Sequence, residues 1–105
     1  MLDHIAFNVK NISKAVSWYK KFLKAEVEYQ DETWAMLKID GAKIALTLES
    51  QHPPHAAIRI QNSKHFDNLF PDIEVKEHRD GSRYIYISDL DGNNIEYIFY
   101  GKDEV

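Results

Sequence analysis

DHIAFNVKN, residues 3–11, and PHAAIRIQN, residues 54–62, are two versions of one strand. His4 aligns with His55, Ala6 with Ala57 and Asn11 with Asn62, at a constant offset of 51 residues. Apolar Phe7 and Val9 fall opposite Ile58 and Ile60. The same offset relates Asp40-Gly41 to Asp91-Gly92 and Ile44 to Ile95. A register shared at both ends of each half marks an internal duplication. One domain, residues 1–105, then holds two modules, 1–50 and 55–101. The linker His52-Pro53-Pro54 between them suits an extended backbone.

Each module reads as β-α-β-β-β. In the first, residues 2–9 alternate as a strand. Asn11 or Ser13 can cap a helix running to about Lys24, with Ile12, Ala15, Val16, Tyr19, Phe22 and Leu23 at helical spacing on its buried face. Strands follow near 26–30, 33–39 and 43–49, with Asp40-Gly41 as a hairpin turn. The second module gives a strand at 55–61, a shorter helix near 63–70 stopped by Pro71, and strands near 73–77, 83–88 and 94–100. GKDEV at the end reads as a solvated tail. The fold class is α+β, two tandem β-α-β-β-β modules; one face of each sheet packs its helix and the other is free to curve around something.

Strand parity then places the polar side chains. Ile5, Phe7 and Val9 face the first helix, so His4, Ala6 and Asn8 point the other way. His55, Ala57 and Arg59 do the same in the repeat. In DLDGNNIEYIFY, residues 89–100, Ile95, Tyr97 and Phe99 form the core face, and Glu96 and Tyr100 share the other. A carboxylate in so apolar a run needs water, a cation or a hydrogen-bond partner. Glu96 repeats the position of Ala45, with Thr47 and Glu49 on the same face. Two imidazoles at equivalent places of a repeat, with a carboxylate on a third strand, can bind one divalent ion such as Mn²⁺, Fe²⁺, Ni²⁺ or Zn²⁺ and leave positions open for substrate. Taken singly, each of these residues reads as a half-exposed surface group; the repeat symmetry of His4 and His55 is what favours a site.

Composition narrows the class. The 105 residues are 44% hydrophobic and 29% charged, with a net charge of −4 and scattered basic residues, which favours neither nucleic acid nor an anionic membrane. There is no cysteine, hence no disulfide, thiolate ligand or thiol nucleophile, and a reducing cytoplasm is the expected compartment. The N-terminal stretch enters a strand directly, without a signal pattern. No apolar run approaches the roughly 20 residues that span a bilayer. Phosphate-cradling glycine motifs and the serine-nucleophile motif are absent.

These residues resemble the vicinal oxygen chelate superfamily, which includes glyoxalase I, extradiol dioxygenases, methylmalonyl-CoA epimerase, fosfomycin-resistance thiol transferases and bleomycin-resistance proteins. The resemblance covers nearly the whole chain. It rests on DHIAFNVKNISKAVSWYKKFLKAEV, on HAAIRIQN and above all on DLDGNNIEYIFY, close to the family's D-P-D-G-x-x-I-E. It implies paired β-α-β-β-β modules that form a cupped mixed sheet around one metal, and His4, His55 and Glu96 as ligands. Ala45 stands where glyoxalase I and the epimerases have a fourth ligand, glutamate or glutamine, which counts against glyoxalase I activity. The three-ligand pattern is similar to the fosfomycin-resistance enzymes and extradiol dioxygenases. Tyr86 matches a substrate-contacting tyrosine of the former, whereas Ala6 replaces their threonine, and the chain is short for a dioxygenase.

The expected protein is therefore a small metal-dependent enzyme (a lyase, thiol transferase or oxygenase) using a divalent ion as Lewis acid on adjacent oxygens of a small substrate. The alternative is a metal-free antibiotic-binding protein of the bleomycin-resistance type. Candidate substrate contacts are Asn8, Thr47, Arg59, Tyr86 and Tyr100; no catalytic residue is assigned. Trp34, Tyr84 and Tyr86 could line a pocket or belong to the core. His52, His65 and His78 read as surface. A homodimer is expected because small curved sheets leave edges and apolar surface to cover.

Overall fold

A computed structural model describes residues 1–69 and 71–101. Its elements are β1 (Leu2–Asn8), α1 (Ile12–Leu23), β2 (Glu26–Gln30), β3 (Trp34–Ile39), β4 (Ala42–Thr47), β5 (His55–Arg59), α2 (Lys64–Leu69), β6 (Lys76–Glu77), β7 (Arg83–Ser88) and β8 (Asn94–Phe99). The end of the second helix at residue 70 and the tail at 102–105 lie outside the described residues. The chain divides into two compact units. One runs from His4 to Ala56; the other joins Met1–Asp3 to the chain from Ala57 onward, so that β1 and β5 are each divided between the two.

In the His4–Ala56 unit the strand order is β2-β3-β4-β1. β1 runs parallel to β4, with Ile5 beside Ile44, Ala6 beside Ala45 and Asn8 beside Thr47. β3 and β4 form an antiparallel hairpin in which Leu37 faces Ile44 and Ala35 faces Leu46. Its turn needs two residues with positive φ, and Asp40 and Gly41 supply them at 51° and 87°. Asn11 caps α1, its side-chain oxygen accepting from the Lys14 N–H at 2.8 Å. At the other end Lys24 turns left-handed (φ 53°) and the Ala25 N–H bonds back to the Tyr19 carbonyl, which stops the helix. Ile12 and Val16 of α1 pack on Ala25, Ala35, Leu37 and Leu46, with Val9, Ala15 and Tyr19 at the margin. Burying one such leucine contributes roughly 1.5–3 kcal/mol.

The expected buried face of α1 is only partly buried. Phe22 and Leu23 are exposed, and Phe7, on the helix-facing side of β1, is exposed too. The core is centred on β3 and β4, and these three side chains fall beyond its rim.

The second unit repeats the scheme with a smaller core. The strand order is β5-β8-β7-β6. β7 and β8 pair antiparallel with Ile85 facing Tyr97 and Tyr86 facing Glu96. The Ile60 N–H donates to Ile98, and the Arg59 N–H to the carbonyl of Met1. Ile60, Phe66, Ile85 and Phe99 form the core, with Val75, Ile87 and Tyr97 against it. β6 is shorter than the alternation of residues 73–77 suggests: only Lys76 and Glu77 pair with β7. Among the described residues no helix is long and apolar enough to cross a membrane.

Candidate functional site

In the His4–Ala56 unit the two repeat histidines meet. His4 on β1 and His55 at the head of β5 are both 8% exposed, and their Nε2 atoms stand 3.3 Å apart. The Nδ1 atom of His55 lies 2.7 Å from the carbonyl oxygen of Pro53. A carbonyl oxygen only accepts, so Nδ1 carries the proton and Nε2 of the neutral ring keeps its lone pair. The sequence arranges this locally. Pro53 precedes another proline and is therefore held extended, two residues before the histidine whose ring it orients. A buried lone pair aimed at a second imidazole nitrogen suits a shared cation. Two nitrogens each bound at about 2.1 Å to one ion stand roughly 3–3.4 Å apart for angles between octahedral and tetrahedral.

Asn8 and Thr47 lie next to each other across β1 and β4. The Asn8 amide donates to the Thr47 hydroxyl at 2.9 Å and to the His52 carbonyl at 2.8 Å, tying the loop before His55 to the sheet. Ala45, buried beside Ala6, offers only a methyl group, so neither position supplies a metal-binding atom or a base. His52 approaches the His55 ring with centroids 6.5 Å apart. Trp34 stacks on Tyr29, centroids 4.6 Å apart.

Glu96 belongs to the other unit, where it is 1% exposed in the middle of β8. Tyr86 stands directly across on β7, which places its hydroxyl to donate to the Glu96 carboxylate. Burial first, and the carboxylate's charge second, push the Tyr86 hydroxyl far above its ordinary range, so it stays protonated and remains a donor. Tyr84 is raised in the same direction, again by burial and then by Glu96. The second donor to Glu96 is His78, whose Nε2 lies 3.0 Å from Oε2. The sequence reading of His78 as a surface residue is thus corrected: it is part of the environment of the buried carboxylate. The register of β6 and β7 explains why. Lys76 faces Tyr84 and Glu77 faces Arg83, so His78 falls opposite Ser82, on the same side as Tyr84 and Tyr86. Locating the hairpin bend at Arg79-Asp80-Gly81 is the signal that finds it. His65, by contrast, is exposed on α2.

Arg59 and Tyr100 form a separate cluster in this unit. The guanidinium lies over the Tyr100 ring at 5.1 Å, and the Tyr100 hydroxyl donates to Asp3 at 2.7 Å. Burial and that carboxylate raise the Tyr100 hydroxyl well above its usual value.

A model of the Glyoxalase/Bleomycin resistance protein/Dioxygenase superfamily matches residues 1–74. Metallothiol transferase FosB of Staphylococcus haemolyticus (strain JCSC1435) is 31% identical over 111 residues, taking in 90% of this chain and 80% of that protein. Two solved structures share the fold. Methylmalonyl-CoA epimerase from Mycobacterium tuberculosis has a TM-score of 0.74 at 18% identity, over 96% of this chain and 88% of that one. A glyoxalase/bleomycin resistance protein/dioxygenase superfamily member from Vibrio splendidus 12B01 has a TM-score of 0.70 at 16% identity, over 94% and 99%. The architecture is the α+β glyoxalase-like fold, and the chain belongs to the glyoxalase/bleomycin resistance protein/dioxygenase superfamily.

Proposed function

We propose that this chain is a metal-dependent transferase that joins a small thiol to an electrophilic, oxygen-bearing substrate in the cytoplasm. In this reading His4, His55 and Glu96 together hold one divalent ion. The observation that carries it is the imidazole pair: two buried Nε2 atoms at 3.3 Å, one with its tautomer set by Pro53 so that its lone pair faces the other ring. The donor set of two nitrogens and a carboxylate fits Mn²⁺, Fe²⁺, Ni²⁺ or Zn²⁺. Similarity to a metallothiol transferase supports thiol transfer over the lyase and oxygenase alternatives, and Ala45, which removes the fourth-ligand position, counts against a lyase of the glyoxalase I type.

As the sulfur–carbon bond forms, the carbon–oxygen bond of the substrate breaks and the thiol proton ends on that oxygen; a bound ion would supply a Lewis acid for the negative charge developing there. The chain's own groups do the rest. The imidazoles and the carboxylate are each buried within their own unit, so the donors are desolvated before charge develops. Arg59 can pair with an anionic group of the substrate, and the Tyr86 and Tyr100 hydroxyls, whose single protons point to Glu96 and Asp3, can accept a hydrogen bond from the substrate. The chain has no thiol of its own, so the sulfur comes from a second substrate. The test is incubation of the metal-loaded protein with fosfomycin and cysteine or glutathione, following loss of free thiol and the mass of the adduct. Metal-dependent adduct formation that disappears in His55→Ala supports the proposal; no adduct with any thiol, in protein carrying one ion per chain, refutes thiol transfer.

One observation favours a second reading, a metal-free binder of a planar drug. The Glu96 carboxylate already has two side-chain donors, and Tyr84 and Tyr86 sit edge-to-face beside it, centroids 5.5 Å apart. Ligand binding that is unchanged by a chelator would favour it. We also propose a homodimer, supported by the fully exposed edge strand β2 and by exposed Trp18, Phe22 and Leu23. Sedimentation equilibrium should then give about twice the 12.3 kDa chain mass, and a monomer at high concentration would refute it.

A further inference from the structure

We infer that His78 is a positioning residue for Glu96: it fixes the carboxylate's orientation and thereby sets the affinity for a divalent ion. The inference rests on the reading of Glu96 as a ligand and goes beyond it, since nothing in the family likeness assigns a role to His78.

The imidazole is immobilised from three directions, all inside one unit. Its backbone is clamped at the hairpin bend, the His78 N–H donating to the Ser82 carbonyl at 2.8 Å and the His78 carbonyl accepting from Gly81 at 3.0 Å. The bend itself is braced. Asp80 accepts from both the N–H of Ser82 at 2.9 Å and its hydroxyl at 2.6 Å, and Ser82 is 3% exposed. Gly81 takes φ +90°, a conformation that side chains disfavour, so the bend closes tightly enough to bring His78 back over the sheet. Finally the ring plane is set by Tyr84, which stacks on it with centroids 3.7 Å apart and an interplanar angle of 12°.

What this rigid ring touches is the edge of a carboxylate that is otherwise out of water. Nε2 meets Oε2 of Glu96 at 3.0 Å, and because an ionised carboxylate only accepts, Nε2 is the protonated nitrogen. With the Tyr86 hydroxyl as the second donor, the carboxylate is bound by its own chain and its rotation is restricted. A carboxylate oriented in advance binds a cation without first losing rotational freedom. Partners of this kind typically change metal affinity by about 10–100-fold. A purely structural His78 would serve only to satisfy a buried acceptor, and its loss would lower stability without selectively weakening the metal.

The experiment is titration of the metal-free protein with Mn²⁺ and Zn²⁺ by calorimetry at one pH, with thermal unfolding recorded for each variant. His78→Phe keeps a ring for Tyr84 and removes the donor; we expect one ion per chain bound about 10–100-fold more weakly than by wild type. His78→Gln restores an N–H donor and should recover most of the affinity. Tyr84→Leu leaves the donor and frees the ring, and should weaken binding several-fold even if His78→Phe does not fold. Wild-type affinity in folded His78→Phe, or in Tyr84→Leu when His78→Phe does not fold, overturns the inference and leaves the metal site standing. A wild type that binds neither ion overturns the metal reading and the role of His78 with it.

Discussion

Replacing Tyr86 by phenylalanine removes one oxygen and leaves the ring that packs on β7. That oxygen is placed to donate to the cross-strand carboxylate of Glu96, which is 1% exposed, so water cannot easily take its place. A hydrogen bond to a charged group contributes about 1.5–3 kcal/mol, and a buried acceptor deprived of a donor carries a comparable penalty. His78 remains as a donor, which places the expected loss near the middle of that range, about 2 kcal/mol. With a urea slope of about 1–2 kcal/mol/M for a domain of this size, the midpoint should fall by roughly 1–2 M. The assay is equilibrium urea unfolding of the metal-free protein at neutral pH, followed by tryptophan fluorescence. Tyr84→Phe is the control, because its raised hydroxyl reflects burial and the neighbouring charge of Glu96. It should shift stability by less than about 0.5 kcal/mol, as ordinary substitutions away from special features do. If Tyr86→Phe is as stable as the control, Glu96 does not depend on that donor and the account of its environment fails.

Leu37→Ala empties the centre of the first core, where the side chain is fully buried against α1, and should cost about 2–5 kcal/mol in the same unfolding assay. Asp89 organises the turn that leads into β8, accepting from the Asn93 side chain and from the N–H groups of Asn93 and Asp91, which holds its carboxyl below the usual 3.8. A depressed folded-state value means the stabilisation is present above about pH 4 and is lost as pH falls through the folded value. Asp89→Ala should therefore lower the melting temperature at pH 7, with the gap from wild type narrowing in acid; a gap that stays constant down to pH 2 would contradict this.

Much of the fold is legible in the residues because the duplication doubles every local signal. The two histidine strands and two Asp-Gly turns fix the order of elements. Asn11 ends α1 at one side and the left-handed Lys24 at the other. What alternation cannot report is how far a core extends. Phe7, Phe22 and Leu23 have the right periodicity and still fall outside the first core, because burial depends on which strands α1 covers. Residues 73–77 alternate, and Val75 does pack inward, yet only Lys76 and Glu77 gain a ladder partner. The site shows the same division. His4 and His55 are legible through repeat symmetry. His78 is not, because its place depends on the bend at Arg79-Asp80-Gly81, and it has no counterpart in the first module to flag it. The Asn8–Thr47 bond needed the parallel register of β1 and β4, which neither strand reveals alone.

The most direct measurement is the anomalous scattering of Mn²⁺ in crystals of this protein grown or soaked with that ion. One peak per chain, bonded to Nε2 of His4, Nε2 of His55 and a carboxylate oxygen of Glu96 at about 2.0–2.3 Å, is the expected result. Saturated crystals with no peak there, or with the ion held by other residues, would contradict the proposed metal centre.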